Sequence, residues 1–330
     1  MLRKFCLLSV LAASLAATSV QADITPAPGY SVSTVLTGHT FTAYDAYESS
    51  GSAYVYGWTG GGLKQYSVSS GSQINDLGTP SDGYTNNANV SVQWVEYGVD
   101  GSVYVGFYNS GGTDMRIYKV NSSTGTWQNL TSVNSNYSMA YYGTEAFIMA
   151  GDSIYLLDTD SGATTLFASV GGYSSQIAFA DSGLVFCTSG VSGGDALINF
   201  STAQLDSFLA DTSGWSALDL SNADILDGTL DGWGGATTVD ADGNIYFTAN
   251  DYYGDGSTSV EEYAGDSIAE GSGWSSIVML YAVGEDLYYT LYNQDGISVL
   301  TPGVPEPSTY ALLGGVAMLL FTLYRRRKVG

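Results

Sequence analysis

The sequence is poor in the side chains that most often perform catalysis or bind metals. His39 is the single histidine, and the two cysteines are Cys6 and Cys187. Cys6 lies in an apolar N-terminal stretch that we expect to be removed, so the mature chain can form neither an internal disulfide nor a zinc site of several His and Cys ligands. Cys187 stands among apolar residues, which predicts a buried, inert thiol. A Ser-His-Asp triad would need His39, which lies on a connection before the first predicted hairpin, and we do not expect a triad there. We therefore predict no catalytic residue and no cofactor.

Basic residues are also scarce. Of nine lysines and arginines, only Lys64, Arg116 and Lys119 lie between residues 23 and 303, whereas 31 of the 32 acidic residues do, so this part carries a net charge of −28. Nucleic acid binding needs a basic surface and is excluded as a function. A bare acidic polysaccharide would be repelled unless a divalent cation bridged it to the protein. The charge favours solubility outside the cell over a dedicated cation site.

The N-terminus has the three parts of a secretory signal peptide. A short basic start is followed by an apolar stretch from residue 5 to about residue 18, and then by a small-x-small pattern that ends at Ala22. We predict a signal peptide over residues 1–22, with cleavage between Ala22 and Asp23. The apolar run is short for a membrane span, which needs ~20 residues. An uncleaved N-terminal anchor is the alternative.

The C-terminus also has three parts in a fixed order: a short proline-containing motif, 15 apolar residues over 310–324 with a tyrosine at each end, and a basic cluster. Interfacial tyrosines and a basic flank are typical of a transmembrane helix whose basic end stays in the cytoplasm. The motif residues are Val304, Pro305, Glu306 and Pro307, and the basic residues are Arg325, Arg326, Arg327 and Lys328.

These last 27 residues resemble the PEP-CTERM sorting signal, also labelled an ice-binding protein C-terminal domain, a label that says nothing about this chain's ligand. The resemblance implies processing by an exosortase, a membrane cysteine transpeptidase-like enzyme that cleaves near the motif. It also implies a Gram-negative host that makes exopolysaccharide. The expected route is export, an intermediate anchored in the inner membrane, and then the cell surface or extracellular matrix. A plain tail anchor that is never processed is the alternative.

Residues 23–303 contain a repeat. Six segments read as strand, tight turn and strand, and equivalent positions in successive second strands are 38 to 61 residues apart. Turn sequences such as those at Asp100 and Asp242 supply the Gly and Asp that hairpins favour. A period of ~40–50 residues with several strands each is typical of a β-propeller. We therefore predict an all-β, six-bladed β-propeller over 23–303, with a β-sandwich as the alternative. The six marker positions are Tyr54, Tyr104, Phe147, Val185, Tyr246 and Tyr288.

Two further segments complete this prediction. The longest gap contains a capping-box pattern at Ser201 to Gln204, followed by apolar residues at helical spacing, so we expect a short helix between the fourth and fifth blades. The last blade lacks a fourth strand. We expect residues 30–36 near the mature N-terminus to supply it by pairing with residues 297–300, which would close the ring.

One weak calcium candidate is present. Asp240, Asp242 and Asn244 alternate as in a calcium loop, but the glycine spacing is wrong for an EF-hand and the segment coincides with a predicted hairpin turn. Turn chemistry is the preferred interpretation. Nearby Asp251, Asp255 and Glu261 could add oxygen ligands. The six tryptophans of the exported part could stack on sugars, although blade cores use aromatic residues as readily.

Two function classes follow. In the first, the exported domain is a non-catalytic surface or extracellular-matrix protein that binds polysaccharide or another protein. In the second, it is a polysaccharide-active hydrolase or lyase on a propeller scaffold, since paired carboxylates for glycoside cleavage would be hidden among 31 acids. A cluster of acids with an arginine in the central channel would favour the second class. Fold alone does not decide between them.

Overall fold

The computed structural model describes residues 24–112, 114–171, 176–188, 195–228, 230, 233–250, 257–265, 267–271, 277–291 and 295–303. The predicted signal peptide, its cleavage site and the sorting segment 304–330 lie outside these residues. Within them, no helix is both long and apolar enough to cross a membrane.

The described strands form six sheets, antiparallel except for one short parallel pairing of residues 168–169 with 218–219 at the outer edge of the third sheet. The first strands of successive sheets contact one another around a ring that closes between the sixth sheet and the first. The predicted six-bladed propeller is therefore confirmed, and the β-sandwich alternative is wrong. Short 3-10 turns cover Tyr84–Asn86 and Leu220–Asn222. The elements in chain order are β1 (Ile24–Pro26), β2 (Tyr30–Thr40), β3 (Ala43–Ser49), β4 (Ser52–Thr59), β5 (Gly62–Ser67), β6 (Gln73–Gly78), β7 (Val90–Tyr97), β8 (Ser102–Asn109), β9 (Arg116–Asn121), β10 (Trp127–Ser132), β11 (Asn136–Tyr142), β12 (Glu145–Ala150), β13 (Ser153–Leu157), β14 (Thr164–Ser169), β15 (Ile177–Ala180), β16 (Gly183–Cys187), β17 (Leu197–Ser201), α1 (Thr202–Ala210), β18 (Leu218–Asp219), β19 (Asp224–Asp227), β20 (Trp233–Val239), β21 (Ile245–Asn250), β22 (Thr258–Glu262), β23 (Ser267–Gly271), β24 (Ile277–Val283), β25 (Asp286–Leu291) and β26 (Asp295–Pro302).

The strands of each blade are given in order from the central axis outward. Blade 1 is β3-β4-β5-β6, blade 2 is β7-β8-β9-β10, and blade 3 is β11-β12-β13-β14. Blade 4 is β15-β16-β17-β19, blade 5 is β20-β21-β22-β23, and blade 6 is β24-β25-β26-β2. The apolar clusters lie between neighbouring blades, because the alternating side chains of a strand point to both faces of its sheet. We call the end of the ring with the turns between each first and second strand the hairpin face.

The N-terminal strand closes the ring as predicted. In blade 6, β2 pairs antiparallel with β26, with Tyr30 opposite Pro302 and Val35 opposite Ile297. The sequence analysis did not predict β1, which adds a fifth strand to blade 5 by pairing Ile24 with Gly271. The N-terminal segment thus supplies the outer strands of two neighbouring blades. The outer edge of blade 5 becomes the three-residue strand β1, and so short an edge offers little surface for pairing with another chain.

The inserted helix α1 is present, but its predicted position between blades is wrong. It lies inside blade 4, between the third strand β17 and the fourth strand β19. Its N-terminus has the predicted capping box, in which the Ser201 hydroxyl and the Gln204 side chain each bond the other residue's backbone N–H. The helix buries Leu205 and Phe208, and the Phe208 ring lies 5.2 Å from that of Phe167 in blade 3. Marker positions taken from the first two strands alone could not place it within a blade.

Candidate functional site

The central channel is lined by the first strands of the blades, whose inner edges have no strand partner. Side chains of a neighbouring blade accept hydrogen bonds from backbone N–H groups along these edges, so that donors facing the channel are not left unpaired. The bonds join blades 1 and 2, blades 3 and 4, and blades 5 and 6. They run from Tyr97 N to Asp45 Oδ2 (2.7 Å), from Ile177 N to Ser138 Oγ (3.1 Å) and from Ala282 N to Thr238 Oγ1 (3.1 Å).

Two further side chains cross the channel between blades that are not neighbours. Gln176 of blade 4 bonds Leu280 of blade 6 at both ends of its amide: Nε2 donates to the carbonyl oxygen at 2.9 Å, and Oε1 accepts from the backbone nitrogen at 3.3 Å. The Tyr281 hydroxyl of blade 6 donates to the carbonyl oxygen of Val95 in blade 2, at 3.4 Å. These contacts narrow the channel and fix the blades relative to one another.

Beside these crossings lies a cavity of about 170 Å³. In blades 2, 3, 5 and 6 its lining comes from the later residues of the first strands, which lead to the hairpin turns, so it lies toward the hairpin face; in blade 4 it includes Gln176, directly before β15, and the first residues of that strand. Among the described residues of the lining, Glu96 is the one charged residue, the polar ones include Gln176, Thr237 and Thr238, and the aromatic ones are Tyr141, Phe179 and Tyr281. Ligand pockets for drug-sized molecules occupy about 300–1,000 Å³, so this cavity accepts only a small group.

Two carboxyl groups dominate the electrostatics of the channel. Desolvation raises the pKa of Asp45 to about 7, although backbone N–H groups of Tyr97 and Ala46 lower it in part. Desolvation also raises the pKa of Glu96 well above its ordinary range, and the nearby Asp45 carboxylate raises it further. Asp45 is 6 % exposed and does not line the cavity, whereas Glu96 lines it and is partly exposed. Near neutral pH the pair therefore favours holding a proton.

The described lining holds no basic residue. Arg116 lies on β9 and forms ion pairs with Asp82 at 2.9 Å and Asp114 at 2.7 Å. Lys119, on the same strand, pairs with Asp100 at 2.9 Å. Of the two features that would favour a hydrolase, the structure therefore shows two interacting acids of which Glu96 alone lines the cavity, and no arginine beside them among the described residues.

The predicted calcium residues form a tight turn. One oxygen of Asp240 accepts backbone N–H groups from Asp242 and Asn244 at 2.9 Å each. The other accepts the Asn244 side-chain amide at 2.9 Å and the Tyr246 hydroxyl at 3.1 Å. These four donors occupy the Asp240 carboxylate, and the described residues contain no group of three or more His, Cys, Asp or Glu that could hold a metal ion. Asp251 and Asp255 lie outside the described residues.

Other residues singled out by the sequence serve packing. Cys187 is fully buried, and burial raises the pKa of its thiol to about 12, as expected of an inert thiol. The His39 ring packs 4.8 Å from that of Tyr66. Indole N–H groups of Trp94, Trp127 and Trp215 donate to Asn136 Oδ1, the Leu77 carbonyl and the Phe167 carbonyl, respectively. Trp58 packs edge-on against Phe107.

The sequence analysis did not identify Asp45 or Glu96. The available signal was an acidic residue in the middle of an otherwise apolar or aromatic inner strand, as in the segments 44–47 and 90–97. A charge at such a position must face the channel or a blade interface, where its burial is costly.

Comparison with known protein families yields one match, at the C-terminus. Residues 303–328 match the model of the PEP-CTERM protein-sorting motif. The chain carries a PEP-CTERM sorting signal. This signal implies that the protein is exported, passes through a membrane-anchored intermediate and is processed by an exosortase. No curated protein sequence matches the chain.

Solved structures of low sequence identity share the propeller fold. A gluconolactonase from Xanthomonas campestris is 12% identical, with a TM-score of 0.55 over 85% of this chain and 94% of that chain. Regucalcin from Agrobacterium tumefaciens, a calcium-binding protein, is 16% identical, with a TM-score of 0.51 over 82% and 95% of the two chains. A chain of a nidogen–laminin complex is 13% identical, with a TM-score of 0.52 over 72% and 85%. At this level of identity the similarity shows the fold alone.

Proposed function

We propose that the mature protein is a non-catalytic component of the cell surface or extracellular matrix, and that its propeller binds polysaccharide or another surface protein. The observation that carries this proposal is the channel itself. Among the described residues, its cavity is lined by one carboxyl group, that of Glu96, which favours the protonated state, and the neighbouring Asp45 is buried. Glycoside cleavage instead requires two carboxyl groups on opposite sides of the scissile bond, usually with one of them ionised.

The size and closure of the channel support the same proposal. Side chains of Gln176 and Tyr281 cross it, and the remaining cavity of about 170 Å³ is below the range of sites that enclose a ligand of saccharide size. A polymer would therefore be bound on the outer surface of the ring. The net charge of −28 selects neutral or cationic partners, or anionic ones bridged by divalent cations.

The ends of the folded domain support the proposed processing boundaries. Strand β1 begins at Ile24, which is 7 % exposed and packs into an apolar cluster of blades 5 and 6. Cleavage between Ala22 and Asp23 would leave one residue before this strand. At the other end, Gly303 N donates a hydrogen bond to the Gly29 carbonyl, directly before the sorting segment 304–330. A domain of residues 23–303 therefore contains both closing strands.

A hydrolase or lyase is the second candidate, and one observation favours it. The carboxyl pair of Asp45 and Glu96 has raised pKa values, and a protonated acid of this type is what a general acid requires. In that case Glu96, the member that lines the cavity, would act as the acid.

A glycan array probed with the 23–303 domain, with and without calcium, tests the proposal. We expect retention on a restricted set of neutral or amine-containing glycans, with an E96Q variant binding the same set. The absence of binding to glycans and to surface proteins of the host would contradict it. Mass spectrometry of mature surface material tests the processing, because we expect a chain that starts at Asp23 and lacks residues 310–324.

A further inference from the structure

Strand β2 forms the outer edge of blade 6, and its free side pairs with no strand of the described residues. Residues 30–35 are regularly paired with β26 on the other side, before an irregular segment at 36–39. The regular part contains no proline or glycine, and no charged residue occurs within 24–44. Its exposed side chains are Ser31, Ser33 and Thr34. A regular, uncharged edge of this kind is a template for pairing with another strand.

The outer edges of blades 1 and 2 are protected in a way that β2 is not. The strands β6 and β10 contain register shifts, and the outer turn of the next blade lies against each of them. A Cβ added at Gly125 would lie 3.5 Å from the backbone of Leu77 in β6, and one added at Gly162 would overlap the backbone of Leu130 in β10. Gly71 occupies the equivalent turn of blade 1, next to blade 6, and a Cβ added there would meet no atom within 4 Å.

The remaining outer edges are short or charged. The outer edge of blade 3 is the two-residue strand β18, and that of blade 4 is β19, which has two aspartates among its four residues. The outer edge of blade 5 is β1, which is three residues long and ends at Pro26. Short strands, charges, proline and covering loops are the usual protection of sheet edges. Among the outer strands that the structure describes, β2 is therefore the one open to pairing.

The register with β26 determines which backbone groups of β2 point outward. Tyr30 lies opposite Pro302, which has no N–H, and the next pair along is bonded, because Gly303 N donates to the Gly29 carbonyl. Bonded and non-bonded pairs alternate in an antiparallel ladder, so Tyr30 belongs to a non-bonded pair. The same alternation directs the N–H and C=O groups of Val32 and Thr34 away from β26. These groups have no backbone partner among the described residues.

We propose that β2 pairs antiparallel with β2 of a second copy of this chain, about a two-fold axis at Ser33. In this register Val32 of each copy lies opposite Thr34 of the other. Each of these pairs exchanges two N–H···O bonds, so all the outward groups of both residues find partners. A contact that satisfies itself under a two-fold axis is what a homodimer requires. The two four-stranded blades become one continuous sheet.

Charge and the position of the tail favour a second copy as the occupant. The net charge of −28 repels other copies, but this edge brings no two like charges opposite each other. The chain enters the sorting segment 304–330 directly after Gly303, beside Gly29 and the start of β2. A membrane-anchored intermediate would therefore hold these edges close to one another, at a high effective concentration.

The contact is short, so the free domain should dimerise weakly. Six paired residues span about 20 Å, and an interface of this length is smaller than that of stable complexes. Sedimentation velocity of the 23–303 domain should therefore show monomer at about 5 μM and dimer at about 500 μM. Sodium chloride should raise the dimer fraction, because it screens the repulsion between the copies. A domain that stays monomeric at the higher concentration, in low and high salt, would overturn the proposal.

A proline variant tests the outward N–H groups. Thr34→Pro removes a donor that points away from β26, so it leaves the ladder within blade 6 intact. It should weaken the dimer about tenfold or more, because each copy loses one intermolecular hydrogen bond. Thr34→Val keeps the N–H and should dimerise as the wild type does. A Thr34→Pro dimer as strong as that of the wild type would contradict the proposed pairing.

Engineered cysteines test the register independently. The two Ser33 residues would face each other in a non-bonded pair, with Cα atoms about 4.5 Å apart, which suits a disulfide. S33C should therefore be recovered as a covalent dimer after mild oxidation. The matched control is S31C, an exposed serine on the same strand whose two copies would be at least about 13 Å apart, too far to bridge. Cys187 is fully buried and should not contribute. Equal cross-linking of both variants, or none with S33C, would refute the two-fold axis at Ser33.

Discussion

Replacing Asp45 by asparagine should stabilise the protein at alkaline pH. The side chain is 6 % exposed, and its Oδ2 accepts the Tyr97 backbone N–H across the interface of blades 1 and 2. Asparagine keeps an acceptor for that bond and removes the charge. Desolvation raises the pKa of Asp45 to about 7 in the folded chain, so the folded state disfavours the ionised form. The Asp45 side chain therefore contributes fully to the free energy of unfolding below about pH 4, where an aspartate of the unfolded chain is still protonated. This contribution is lost as the pH rises through about 7.

The gap between the folded and unfolded pKa values of Asp45 corresponds to on the order of 4 kcal/mol in the free energy of unfolding at pH 8. We expect D45N to exceed the wild type by up to that amount at pH 8, and to match it at pH 4. Urea unfolding followed by tryptophan fluorescence at pH 4, 6 and 8 measures the difference. The matched control is E48Q, an exposed acid on the same strand, which should change little with pH. A D45N effect that is the same at all three pH values would refute the reasoning.

Three further predictions follow from the packing. Phe208 is fully buried where α1 contacts blade 3, so Phe208→Ala should lower the free energy of unfolding by about 3–5 kcal/mol, as measured by urea titration. An unchanged free energy of unfolding would show that the helix is not part of the core. Deleting residues 24–36 should abolish the folded monomer seen by size exclusion, because blade 6 loses its outer strand, whereas deleting residues 24–26 should leave a folded ring of lower Tm. Sodium chloride should raise the Tm, because it screens the repulsion within the net negative charge. Calcium chloride at matched ionic strength should raise the Tm no further, since four hydrogen-bond donors already occupy the Asp240 carboxylate. A higher Tm in calcium than in sodium would indicate a true calcium site.

Local patterns were enough to predict most of the fold. Hairpin turns such as that at Asp242 and Gly243 appear in the sequence as Gly and Asp between apolar runs, because few residues adopt the backbone angles of a tight turn. The missing strand of the last blade predicted closure by the N-terminal segment, and the capping box predicted the start of α1. These features depend on residues close together in the sequence, or on a simple count of strands.

The parts that could not be predicted depend on contacts between distant segments. Strand β1 is three residues long, and its pairing with β23 joins residues nearly 250 positions apart. The bond between Gln176 and Leu280 likewise crosses the channel from blade 4 to blade 6. The pairing of Asp45 with Glu96 arises only when β3 and β7 become neighbours. No pattern within either strand distinguishes such an acid from one in a solvent-exposed position, so the candidate site emerged from the structure.

The central claim is that the exported propeller binds its ligand without transforming it. The most direct test is to incubate the 23–303 domain with polysaccharide from the host's extracellular matrix and to follow both retention of the polymer and the appearance of new reducing or unsaturated ends by mass spectrometry. We predict that the polymer sediments with the protein and that its chain-length distribution does not change over days. Polymer fragments that accumulate in proportion to the concentration of the 23–303 domain, and that do not form with the E96Q variant, would contradict the claim and identify the channel as an active site.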